Sequence, residues 1–178
     1  GDIKTLDMIM LDYPGQDDEC IRAQWRAFEE MKAAGLVRSL AVSNFSPRQL
    51  DVLCSTARDA CPVVNQLPIC VGYHDPGIIA ANGRRGVHVQ AWWPLGNGKL
   101  TRFSRDAAAA KSLCAEIGAR YGKSGYQVAL RWLTQVGASY TVEAKSAEHF
   151  LEDVSIFDFE LSKQELAALE GLNQQPSF

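Results

Sequence analysis

Short apolar runs alternate along this chain with longer segments of helical periodicity, and that alternation constrains the fold more than any other feature. LDMIML (Leu6 to Leu11) predicts a strand. A turn rich in Gly and Asp leads from it into DDECIRAQWRAFEEMKAAG, where Ile21, Trp25, Phe28 and Met31 recur at helical spacing. Gly35 stands where a helix C-cap belongs. VRSLAVS predicts a second strand, with Ser46 as N-cap and Pro47 at the first helical position of SPRQLDVLCSTARDA. VVNQ (Val63 to Gln66) and VHVQAW (Val87 to Trp92) predict two more strands, separated by the weakly helical IIAANG. Beyond the loop PLGNGKLTRFS come two helical segments, DAAAAKSLCAEIGARYG and SGYQVALRWLTQVG, each ending in glycine. SYTVEA (Ser139 to Ala144) predicts a fifth strand, followed by a short helix near Ser146 and an amphipathic helix from Ser162, where Ser162 and Glu165 form a capping box.

Strands separated by helices pair in parallel, because each crossover returns the chain to the same end of the sheet. Parallel strands need cover on both faces, and a wall curling into a barrel supplies it. The predicted fold is therefore α/β: an incomplete (β/α)₈ barrel of the TIM type, with about five parallel strands and surrounding helices in a single domain over 1–178. An open doubly wound sheet is the rival. No GxGxxG follows any predicted strand, which weakens the dinucleotide-binding form of that rival.

Composition narrows the function classes. A formal charge of −3 with scattered basic residues gives no pull toward nucleic acid or anionic membranes. No apolar run reaches the roughly 20 residues of a membrane span, and the first residues lack the features of a signal peptide, so a cytoplasmic location is expected. Five cysteines without a CxxC pair read as buried structural thiols and not as a disulfide framework or zinc site. His74 and His88 are solitary and read as surface or satisfied residues, and no metal site is expected.

Taken in order, LDMIMLDYP, LVRSLAVSNFS, PVVNQ, VQAWWPLG, YGKSGYQVALRWL, EAKS and FDFELSKQELAALEGLN resemble successive blocks of the aldo-keto reductases over nearly the whole chain. The resemblance implies an eight-stranded barrel whose fourth strand would lie at Leu6 to Leu11, with the first three strands missing. It implies NADPH as hydride donor to a small carbonyl compound. The family's aspartate, tyrosine and lysine fall in the missing region, and at its histidine position this chain has Asp12, followed by Tyr13 where tryptophan is common. General acid catalysis is typically worth on the order of 10²–10⁴ in rate, so activity would need a substitute donor. Asp12 and Tyr13 are the two candidates, against the plainer reading that they end a strand before Pro14.

On the coenzyme side, the resemblance assigns Ser43, Asn44 and Gln66 to the nicotinamide carboxamide, since an amide offers another amide both donor and acceptor. Ser43 and Asn44 also suit a strand end. Trp92 takes the place of a tyrosine that stacks on the nicotinamide ring. Trp93 replaces a serine at the start of a pyrophosphate loop that continues through Pro94, Leu95, Gly96 and Asn97. Without the resemblance, the adjacent tryptophans would read as core or interface residues. Lys145 and Ser146 match a Lys-Ser pair that holds the 2′-phosphate of NADP ahead of a helix N-terminus. His149 aligns with an arginine, and Glu152 and Asp153 with a Glu-Asn pair. These changes weaken the grip, because histidine is charged only part of the time near neutrality and Asp153 lacks the donor of asparagine. Cys70 stands near a family histidine.

Two functions follow as expectations. One is an NADPH-dependent reductase of small carbonyl compounds; the other is a non-catalytic nucleotide-binding or scaffold protein. A wall with open strand edges also predicts a homo-oligomer that covers them, which a monomer in light scattering would contradict.

Overall fold

Residues 4–58, 61–96 and 107–173 are described by the computed structural model. All five expected strands are present: β1 (Leu6–Leu11), β2 (Val37–Ser43), β3 (Val64–Pro68), β4 (His88–Trp92) and β5 (Ser139–Tyr140). The sheet order is β1-β2-β3-β4-β5. Parallel pairing runs from Leu6 opposite Val37 to Leu11 opposite Val42, then through Val42 opposite Asn65 and Ser43 opposite Gln66. Strands adjacent in sequence order make the wall of a barrel, whereas a doubly wound sheet reverses its order at a switch point. Around the strands run α1 (Asp18–Ala33), α2 (Pro47–Cys54), α3 (Ile78–Gly83), α4 (Ala107–Tyr121), α5 (Gly125–Gln135), α6 (Ala147–Val154) and α7 (Lys163–Glu170). Among the described residues, no helix is long and apolar enough to cross a membrane.

The chain divides into two compact units, Gly1–Leu67 with Ile78–Gln90, and Pro68–Gly77 with Ala91–Phe178. In the first, Leu40 and Val42 of β2 pack with Ile21 and Trp25 of α1 and Leu50 and Leu53 of α2 around Phe45. Asp17 caps α1 by accepting from the Cys20 amide at 2.8 Å. The helix ends in a Schellman motif: Gly35 at φ 73 donates to Lys32 O, and Leu36 donates to Met31 O. Asn65, fully buried, donates through Nδ2 to Phe45 O at 2.8 Å and to Asn82 Oδ1 at 3.0 Å, tying β3 to the turn before α2 and to α3. Strand alternation sends the residues between these core positions, Ser43, Gln66 and Gln90, to the opposite face.

Contrary to what their spacing predicts, the cysteines are not all buried thiols. Cys54 and Cys61 are joined by a disulfide, and Cys20 is exposed; Cys70 and Cys114 are the buried free thiols, each pushed up to about 12 by burial. A helix running through Ala60, as the sequence suggests, would hold positions 54 and 61 about 10 Å apart at 1.5 Å per residue. Because α2 stops at Cys54, the two Cα atoms are 5.0 Å apart.

In the second unit, Cys114 and Ile117 of α4 and Leu130, Trp132 and Leu133 of α5 are buried together with Ile156 and Leu169. β5 is shorter than the expected Ser139 to Ala144: the Thr141 amide still reaches Ala91 O at 2.9 Å, after which the chain leaves the sheet. Capping boxes open α5 (Ser124 with Gln127) and α7 (Ser162 with Glu165), as Ser46 with Gln49 opens α2. Burial alone would raise the Glu165 carboxyl. Hydrogen bonds from Tyr121 Oη at 2.7 Å and from the Ser162 amide and hydroxyl, with the Arg120 charge, hold it below its ordinary value of 4.5. A depressed folded-state value contributes stability above the unfolded value, lost as pH falls through the folded one. Urea unfolding between pH 7 and pH 3 should therefore show wild-type stability falling below about pH 4.5. Glu165→Gln, which keeps the capping box in the form used by the other two helices, should be less stable at pH 7 and lose less on acidification. A parallel pH profile for the two proteins would contradict this.

Candidate functional site

The candidate residues of the first unit gather where β1, β2 and β3 end. Ser43 is 2% exposed, and its hydroxyl donates to Gln66 O at 3.0 Å while accepting from Asn44 Nδ2 at 3.0 Å. Asn44 adopts the left-handed φ of 65, which short polar side chains tolerate, and its amide nitrogen Nδ2 also donates to Asp12 O at 3.2 Å. Gln66 Nε2 donates to Gln90 Oε1 at 2.6 Å. The structure therefore brings Ser43, Asn44 and Gln66 together, and it adds Gln90, to which the sequence assigned no role. Asp12 and Tyr13 follow β1; both are exposed, Tyr13 by 62%, and neither side chain makes a hydrogen bond among the described residues.

In the second unit, a cavity of about 690 Å³ lies between the segment following β4, the segment following β5 and α6. That volume suits a drug-sized or nucleotide-sized ligand. Pro94 and Leu95 line it on one side, and Lys145, His149, Glu152 and Asp153 on the other. Six of the expected residues thus share one cavity. Trp93 lines it, with a left-handed φ of 62 that is costly for so bulky a side chain, and its ring lies 5.0 Å from that of Trp92. Trp92, Gly96 and Ser146 are not lining residues, although Gly96 is buried at φ 56 and Ser146 caps α6 by accepting from the His149 amide at 3.1 Å. Asn97 lies outside the described residues.

Tyr126, Thr141, Val142 and Glu143 complete the lining without having been expected. Thr141 to Glu143 fall in the strand predicted from Ser139 to Ala144, and they line the cavity because β5 ends before them. Lys145 makes no ion pair among the described residues, and it faces three carboxylates across the lining, Glu143, Glu152 and Asp153. Burial, then the Glu152 charge, push the Asp153 carboxyl up, and His149 pulls it down. Tyr140 supports this end by donating to Asp153 O at 2.7 Å, and its phenol is raised by burial and by the Asp153 charge. Gln127 Nε2 donates to Glu152 O and Ser155 O, which fixes the far end of α6.

Comparison with known proteins decides the family. The profile of the aldo/keto reductase family matches residues 2–174. The chain belongs to that family. It is 34% identical to a D-galacturonate reductase of Fragaria ananassa, over 87% of this chain and 48% of the relative. It is 32% identical to a glyoxal reductase of Bacillus subtilis, over 95% of this chain and 57% of the relative. Among solved structures, a variant of Gox0644 in complex with NADPH superposes with a TM-score of 0.83 at 24% identity, covering 97% of this chain and 60% of that one; at that identity the likeness concerns the fold. This aldo/keto reductase chain spans about half the length of the curated relatives it matches.

Among its described residues, no group of three or more His, Cys, Asp and Glu side chains could hold a metal ion. His74, read as a satisfied residue, is 6% exposed in the second unit, with Nε2 3.2 Å from Glu170 Oε2 and Nδ1 3.2 Å from Asp75 O. Cys70 is buried beside the bridge it forms with Tyr73.

Proposed function

We propose that this chain carries the coenzyme-holding part of an NADP(H)-dependent reductase of small carbonyl compounds. The observation that carries the proposal is the cavity of about 690 Å³, which joins a turn after β4 to Lys145, His149 and the capped start of α6. A cation beside free helix amides suits the 2′-phosphate of NADP, and the segment Trp93 to Gly96 suits the pyrophosphate. In the first unit, Ser43, Asn44 and Gln66 would hold the carboxamide; Trp92, in the second, is the residue that the family resemblance gives to the nicotinamide ring. Bound NADPH supplies a hydride to the carbonyl carbon; the proton for the carbonyl oxygen would come from Tyr13 or Asp12 within the described residues. A second reading, a nucleotide-binding protein without catalysis, is favoured by the exposure of those same two side chains, which make no hydrogen bond among the described residues.

Titration of the protein with NADPH and with NADH, followed by tryptophan fluorescence, tests the proposal. Saturable binding that favours NADPH is expected, with quenching from the Trp92 and Trp93 pair. No binding of either nucleotide at millimolar concentration would overturn it, and binding without carbonyl-dependent NADPH oxidation would select the second reading.

A further inference from the structure

We infer that Gln90 is a positioning residue for the coenzyme: it takes up the side-chain N–H of Gln66 and leaves the Gln66 carbonyl oxygen as the acceptor shown to the nicotinamide carboxamide. The inference rests on the reading that this sheet face receives a nicotinamide.

Neighbouring strands bring the two glutamines together. On β3 the flanking residues Asn65 and Leu67 are buried, and on β4 so is Val89, while Gln66 and Gln90 are half-buried on the other face. Gln66 Nε2 donates to Gln90 Oε1 at 2.6 Å. The backbone carbonyl of Gln66 is already occupied, because the Ser43 hydroxyl and the Asn44 amide both donate to it, at 3.0 and 2.9 Å. Its two lone pairs are thereby used. Gln66 Oε1 has no partner among the described residues, so it is the acceptor this residue has left to offer.

A lone glutamine amide can rotate by half a turn about χ3 and exchange donor for acceptor at little cost. A carboxamide ligand would then meet the wrong edge part of the time. With Gln90 Oε1 turned toward it, as here, a flipped Gln66 would set two carbonyl oxygens against each other at hydrogen-bond distance. The contact spans 24 positions in sequence, so local patterning does not point to it.

The test compares wild type, Gln90→Met and Gln90→Glu in binding NADPH and adenosine 2′,5′-bisphosphate, which retains the 2′-phosphate and has no nicotinamide. Methionine removes the acceptor at similar length; glutamate keeps an acceptor. Gln90→Met should weaken NADPH binding about 3- to 10-fold and leave the bisphosphate within about twofold, and Gln90→Glu should restore NADPH binding. Unchanged NADPH affinity in Gln90→Met, or equal weakening in both variants, overturns the inference. If wild type binds the bisphosphate and gains nothing from the nicotinamide half, or binds neither, the coenzyme reading itself fails. A ligand-free measurement covers the case in which Gln90→Met does not fold: one Gln66 side-chain amide proton should exchange slowly with solvent in wild type and Gln90→Glu, and fast exchange in wild type overturns the inference.

Discussion

Replacing Lys145 with alanine should weaken NADPH binding about 10- to 100-fold at low ionic strength, the range expected for losing a hydrogen bond between charged partners. NADH binding should stay within about twofold, since the two coenzymes differ only in the 2′-phosphate that Lys145 is proposed to meet. Lys145 lines the cavity without an ion-pair partner among the described residues, so its charge is not already committed. Helix α6 adds a second positive element at the same place, with Ser146 as its cap. The neighbouring carboxyl groups oppose the phosphate: Glu143, Glu152 and Asp153 share the lining with Lys145 and His149.

That imbalance makes the Lys145 effect unusually dependent on conditions. Raising salt from 0.01 to 0.1 M shortens the screening length from about 30 to about 10 Å, so the gap between wild type and Lys145→Ala should narrow as salt rises. Isothermal titration at two salt concentrations would measure it. Equal loss of NADPH and NADH binding in the variant would mean that Lys145 supports the cavity wall and does not read the phosphate.

Legibility in the sequence followed the range of the interactions involved. β1 and β2 have the bounds that their apolar runs predict, because a strand packed on helices is specified by its own side chains. The N-caps Ser46 and Ser162 were readable for the same reason: each cap bonds only three residues ahead. Errors arose where a distant partner decides. β5 ends early, and the residues after it line a cavity with α6 and the segment after β4; the Cys54–Cys61 pairing depends on where α2 stops. The candidate site divides along the same line. Lys145, His149, Glu152 and Asp153 lie on one short stretch and could be carried over from a family motif. Gln90, Tyr126 and Glu143 owe their place to tertiary structure, and the bend that puts Trp93 into the cavity is a left-handed backbone no tryptophan announces.

The largest effect on stability should come from Trp25. Its side chain is 1% exposed, stacked on Phe28 at 6.4 Å between ring centroids, and packed in the cluster with Leu40, Val42, Leu50 and Leu53. Trp25→Ala should cost roughly 3–5 kcal/mol, the usual range for emptying a buried aromatic site. Against a typical total of about 5–15 kcal/mol, that loss would bring the unfolding midpoint in urea down sharply. Trp25→Phe separates packing from polarity. The indole N–H of Trp25 is buried without a hydrogen-bond partner among the described residues, so phenylalanine loses volume and also removes that donor. A buried unpaired polar group costs about 1–3 kcal/mol, and the two changes should partly offset, leaving Trp25→Phe much nearer wild type than Trp25→Ala. An alanine variant within about 1 kcal/mol of wild type would mean that α1 does not hold β2. It would also remove the reason for Ser43 and Asn44 to stand where they do, because the core that seats their strand is the one built on Trp25.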